Sequence, residues 1–158
     1  MAEFLEILHM KLIAALILFA ACMFTGDVSA MWARLSDVEL VDQSDIIVSA
    51  TLVRAERRAM PGSAVSREIG VLQIRQVLKG PAKLGEVHIA LPSGDSPLSS
   101  SDIRYTTGQK GLWFLRPHPL GSDRVIYDAG HPQRFLPEEA AIPRIAYFRN
   151  LINSRKTQ

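Results

Sequence analysis

Between Ser44 and Arg54 apolar and polar side chains alternate. Ile46, Val48, Ala50 and Leu52 share one face of an extended chain; Ser49, Thr51 and Val53 share the other. This period of two predicts a long strand that starts at Asp45 and runs out at Arg57-Arg58. Met60-Pro61-Gly62-Ser63 is a turn by composition. A second long strand follows from Ser66 to Leu78, with Leu72 and Ile74 on one face. Its alternation slips near Arg75-Gln76, because Val77 and Leu78 are both apolar. A bulge there restores the register, and Gly70 marks a bend. Lys79-Gly80-Pro81 ends that strand, and Glu86 to Leu91 forms a third with Val87, Ile89 and Leu91 on one face.

Pro92 to Asp102 is a loop rich in Ser, Pro and Gly, and Asp102-Ile103-Arg104-Tyr105 is a brief edge segment. Gly108-Gln109-Lys110-Gly111 turns into Leu112-Trp113-Phe114-Leu115, apolar on both faces and therefore a covered strand. Val125 to Asp128 is the last strand expected. Two helical stretches flank the strands. Ser36 caps a short helix to Gln43, Glu39 completes a capping box, and Val38 and Val41 dock it. Pro137-Glu138-Glu139 opens a C-terminal helical region, and Pro143 fits the first turn of its main helix. Ile145, Phe148, Leu151 and Ile152 make that helix's buried stripe, which is expected to pack on the face of Trp113 and Leu115.

The N-terminal pattern is different in kind. Leu12 to Phe24 is an unbroken apolar run of 13 residues. That is short of the ~20 needed to span a bilayer and suits the apolar core of a secretory signal. Lys11 precedes the run, and Val28-Ser29-Ala30 supplies the small residues of a cleavage site. Residues 1–30 therefore read as a signal peptide and 31–158 as a single domain, periplasmic or secreted. Glu3 and Glu6 stand where a signal wants positive charge, which points to Met10 as the start of translation. Two alternatives stay open: an uncleaved anchor, and a lipobox-like site at Leu18-Phe19-Ala20-Ala21-Cys22 with lipidation of Cys22 and Phe19 as its departure from the motif.

Removal of the leader takes away the only cysteine, so the domain is held by burial and strand pairing. It also removes Lys11 and three acids, Glu3, Glu6 and Asp27, moving the formal net charge from +2 to +4. The basic residues are scattered among acids, a pattern without a nucleic-acid stripe.

In order, the chain offers a short helix, Ser-Asp-Ile-Ile-Val-Ser-Ala-Thr-Leu-Val, and Val77-Leu78-Lys79-Gly80. A Val-x-Ile strand, Gly108-x-x-Gly111-Leu112-x-Phe114-Leu115 and a tyrosine strand follow. This run, roughly Val38 to Tyr127, resembles small secreted bacterial domains with an OB-like barrel, similar to the netrin and metalloprotease-inhibitor fold. The resemblance implies a mainly β fold: an OB-like five-stranded antiparallel barrel with a short N-terminal helix and a C-terminal helix. Inhibitors of that fold chelate a catalytic zinc through a disulfide-bonded N-terminal cysteine. Residues 31–158 contain no cysteine, so that mechanism does not carry over.

Three constellations bear on chemistry. Gly94-Asp95-Ser96 and Asp128-Ala129-Gly130-His131 resemble the nucleophile and Asp-x-x-His blocks of small lipases and esterases, with His131 as base for Ser96 and Asp128 orienting it. Pro92 breaks the strand before the nucleophile turn, and a parallel sheet with crossovers needs more chain than separates these blocks. His88, His118 and His131 lack the spacing of a metal site. His88 alternates with Val87 and Ile89 and should point outward. Arg54, Arg57 and Arg58 form a basic cluster that reads as a solvated strand end, and Trp113 and Phe114 read as core. The expectation is an exported, non-enzymatic binding or structural domain with no cofactor, its partner a protein or another envelope component. The alternative is a small serine hydrolase using Ser96, Asp128 and His131.

Overall fold

The computed structural model describes residues 32–59, 66–92, 102–118 and 126–156. Its architecture is mainly β. One sheet holds β1 (Ile46–Ala59), β2 (Ser66–Lys79), β3 (Glu86–Leu91), β4 (Lys110–Pro117), β5 (Ile126–Asp128) and β6 (Phe135–Pro137). Helices α1 (Asp37–Asp42), α2 (Glu138–Ala141) and α3 (Ile145–Lys156) accompany it, with a 3-10 turn at Ile142–Arg144 joining the last two.

Pairing runs β1–β2–β3–β5–β4 and returns to β1, so five strands close into a ring, with β6 added beside β4. The expected all-antiparallel arrangement is corrected at one point: β3 and β5 are parallel, through His88–Ile126 and Ile89–Tyr127. The reason is parity. Directions cannot alternate all the way round a closed ring with an odd number of strands, so one neighbouring pair must run the same way. The sixth strand was not expected. It is three residues long, ends at Pro137 and offers no alternation to detect. Gly111 makes room for it, because a Cβ there would run into the Leu136 carbonyl oxygen and the Phe135 ring.

Ile46, Val48, Ala50 and Leu52 line the ring interior with Leu72, Val87, Ile89, Trp113, Leu115 and Ala129. The bulge expected near Arg75-Gln76 is present: Ser49 faces Gln76 and Ala50 faces Ile74, so Arg75 is the extra residue. It brings Ile74 and Val77, three residues apart, onto the same interior cluster. Gly70 lies where a Cβ would press on Ile89 and Leu52, allowing β2 and β3 to close over the interior. Trp113 donates its indole N–H to the Ala50 carbonyl at 3.2 Å, and its ring packs on Phe135 at 4.3 Å and Tyr105 at 4.9 Å between centroids.

The outer face of β1 and β4 carries a second cluster: Ile47, Leu112 and Phe114 beneath Leu40, Val41, Ala141, Phe148 and Ile152. The stripe of α3 therefore docks on Leu112 and Phe114, not on Trp113 and Leu115. Register decides this. Trp113 and Leu115 sit opposite the inward Val48 and Ile46, while Leu112 and Phe114 sit opposite Ser49 and Ile47. Phe148 and Ile152 are buried, and Ile145 and Leu151 are half-buried. Pro143 belongs to the connecting 3-10 turn, and α3 begins after it, at Ile145.

Helix α1 carries the full capping box between Ser36 and Glu39. It buries Leu40 and Val41, whereas Val38 stays exposed. Val38 lies about 200° round the helix from Leu40, away from β1. Strand β1 itself starts at Ile46, one residue later than expected, and extends to Ala59. Between α1 and β4 lies a buried arginine, Arg134, 1% exposed. Its guanidinium donates to Ser44 Oγ at 3.2 Å, the Phe114 carbonyl at 3.3 Å and Gln43 Oε1 at 3.2 Å. Among the described residues no helix is long and apolar enough to cross a membrane.

Candidate functional site

A cleft of about 240 Å³ opens where the ends of β3 and β5 meet the segment after residue 101. Ala90 and Pro92 come from the end of β3, Asp128 and Gly130 from the end of β5, and Asp102, Ile103 and Tyr105 from the segment leading to β4. Trp32 supplies the remaining wall.

Trp32 is held there by a strap. Gln133 accepts from the Leu35 N–H at 2.7 Å and donates from its amide to the Leu35 carbonyl at 2.8 Å, pairing with that backbone as a strand would. His131 adds a bond from Nε2–H to the Ala33 carbonyl at 3.1 Å and meets the Trp32 ring edge-on, centroids 5.1 Å apart. The Tyr105 hydroxyl donates to the Ala129 carbonyl at 2.8 Å, fixing the ring between Trp113, Phe135 and the cleft. Burial, with the Asp128 charge behind it, drives the Tyr105 phenol above its ordinary range, so it remains a neutral donor.

Asp128 is the electrostatic centre. Its Oδ2 accepts from Arg116 Nε at 2.8 Å and its Oδ1 from the Gly130 N–H at 2.7 Å. Burial raises its carboxyl, but the bonds from Arg116 and Gly130 outweigh that and hold it below the usual carboxylate range. His118 lies beside this group, its Nε2 3.4 Å from Arg67. Burial first, then the Arg67 charge, lowers the imidazole from its ordinary value.

Of the candidate triad, His131 and Asp128 lie among the described residues, and each bonds other partners. His131 Nδ1 accepts from the Gln133 N–H at 3.2 Å while Nε2 faces the Ala33 carbonyl, an arrangement that requires the neutral, Nε2-protonated ring. A general base presents a nitrogen lone pair to its nucleophile; here that lone pair is turned to the backbone. Asp128 directs its bonds to Arg116 and Gly130. Ser96 lies outside the described residues. His88 faces Val71 and Ile126 on β3, His118 follows β4, and His131 serves the strap. No cluster of three or more metal-ligating side chains occurs among the described residues.

The basic cluster at the end of β1 is crossed by acids: Arg54 pairs with Glu56 and Glu86, and Arg58 with Glu56. Trp32, Asp102, Tyr105 and Arg134 drew no attention as site residues in the sequence. Only Trp32, one of the chain's two tryptophans, carries a signal in the sequence that could flag it. The chain matches no protein-family model and no curated protein.

Proposed function

We propose that the protein is an exported OB-like barrel module, periplasmic or secreted, that binds a protein or another envelope component and performs no catalysis. The observation that carries this reading is the cleft: an ordered aromatic and two carboxylates gathered at one end of a closed strand ring. Five-stranded OB-type barrels bind their ligands through a strand face and the loops beside it. The sequence resemblance to small secreted bacterial domains of the netrin and metalloprotease-inhibitor type points the same way. Export rests on the 13-residue apolar run and Val28-Ser29-Ala30.

The test has two parts. Intact-mass measurement on protein recovered from its own cell should give a chain beginning at Met31; a lipidated Cys22 terminus or full-length protein in the membrane overturns the cleavage. Tagged residues 31–158 should then retain an envelope component that Trp32→Ala releases. Retention that ignores Trp32→Ala overturns the cleft as the binding site. Ester hydrolysis abolished by Ser96→Ala overturns the non-catalytic reading in favour of the serine hydrolase.

A further inference from the structure

The geometry points to the cleft as a receptor for one cationic side chain, an arginine- or lysine-type group presented by a binding partner. This rests on the module reading above and names the chemistry its site recognises.

Size is the first ground. About 240 Å³ falls below the ~300–1,000 Å³ of pockets that take a cofactor or drug-sized molecule, and suits a single side chain. Composition is the second. Among the described residues the lining contains two carboxylates, Asp102 and Asp128, and two aromatic rings, Trp32 and Tyr105, and no basic residue. Aromatic faces and carboxylates both attract cations, and a guanidinium can stack on the one while forking to the other.

The state of each wall is the third ground. Trp32 is 41% exposed, while its ring meets His131 edge-on and the backbone beyond it is tied at Ala33 by His131 and at Leu35 by Gln133. Tryptophan is, with tyrosine and arginine, among the residue types enriched at binding hot spots. Asp128 has one bond on each oxygen, from Arg116 and Gly130. An ionised carboxylate offers about four acceptor sites, so it can take a further donor without giving up Arg116. The Arg116 charge offsets part of Asp128, and Asp102 brings a second carboxylate to the lining.

Trp32 itself reports on the site. The chain has two tryptophans, and the other, Trp113, is fully buried in the ring interior. Titration of residues 31–158 with N-acetyl-arginine amide or N-acetyl-lysine amide should change tryptophan fluorescence saturably and protect it from iodide quenching. N-acetyl-citrulline amide, the uncharged isostere of the arginine probe, should do neither. Trp32→Phe should silence the signal. Asp102→Asn should weaken binding about two- to fivefold, as should Asp128→Asn, the scale expected of exposed ionic and cation–π contacts. Asp102→Asn leaves the Arg116 and Gly130 bonds intact and so tests the charge should Asp128→Asn unfold the chain. A response shared by citrulline, or no saturable response, overturns the inference. If the probes fail but residues 31–158 still retain an envelope component through Trp32, this inference alone falls. If the probes bind but no component is retained, the module reading falls instead.

Discussion

Cutting Phe148 to alanine tests whether the C-terminal helix is part of the fold. Phe148 is fully buried, its ring meets Phe114 edge-on at 5.0 Å, and the Arg144 guanidinium lies 4.7 Å from its centroid. Burying such a side chain contributes about 1.5–3 kcal/mol. The aromatic pair adds about 0.5–1.5 kcal/mol. A helix of this length is marginal alone in water, so α3 depends on this stripe for its existence. The expected loss is about 3 kcal/mol, which for a domain of this size lowers the melting temperature by roughly 10–15 °C. Thermal unfolding followed by circular dichroism measures it. Ile142→Ala is the control: Ile142 is 64% exposed and its loss should change stability by less than about 0.5 kcal/mol. Equal melting of Phe148→Ala and the control would refute the helix as a structural layer. Lost capture of an envelope component at unchanged melting would make the helix the binding surface.

Three further outcomes are expected. Val48→Asp places a carboxylate in the ring interior between Val77 and Trp113 and should unfold the domain, whereas Thr51→Asp, opposite Lys110 on the other face, should be tolerated; denaturant titration of both decides it. Gly111→Ala should displace β6 and destabilise by about 1–3 kcal/mol, read as lost amide protection at Leu136. Folding lowers the His118 pKa, so as pH falls below about 6.5 the unfolded chain takes up a proton that the folded chain refuses, and stability drops towards the lower folded value. His118→Gln should flatten the melting temperature across that window, and an unchanged slope would show that His118 does not set it.

Strands β1, β2 and β3 are legible because each is a run of alternating side chains long enough to declare its period. The bulge was legible too: Ile74 and Val77 can share a face only if one residue between them is left unpaired, and Arg75 is that residue. What the alternation could not convey is which of two apolar faces looks inward. Leu112-Trp113-Phe114-Leu115 is buried on both sides, and only its pairing with Ile46 and Val48 assigns Trp113 and Leu115 to the interior. The helix stripe was read correctly and given the wrong floor for this reason. The parallel β3–β5 contact has no local signature either, since it follows from the number of strands in the ring.

The candidate site was the least legible part. Its walls come from four separate stretches, around residues 32, 90–92, 102–105 and 128–130, which only the fold brings together. The motif that stands out locally, Asp128-Ala129-Gly130-His131, carries only the alternative reading of a serine hydrolase. In the fold the same residues do two mechanical jobs. Asp128 bonds the Gly130 N–H and anchors Arg116, while His131 accepts from Gln133 and holds Ala33. The second job bears on the placement of Trp32, because His131 and the Gln133 carboxamide hold the backbone of Ala33 and Leu35. If that is what the motif is for, His131→Ala should free Trp32, raising iodide quenching of its fluorescence and weakening probe binding, while the five-strand ring keeps its melting temperature within a few degrees. Unchanged quenching would show that Gln133 alone holds the strap. Collapse of the ring would show that the strap is part of the core.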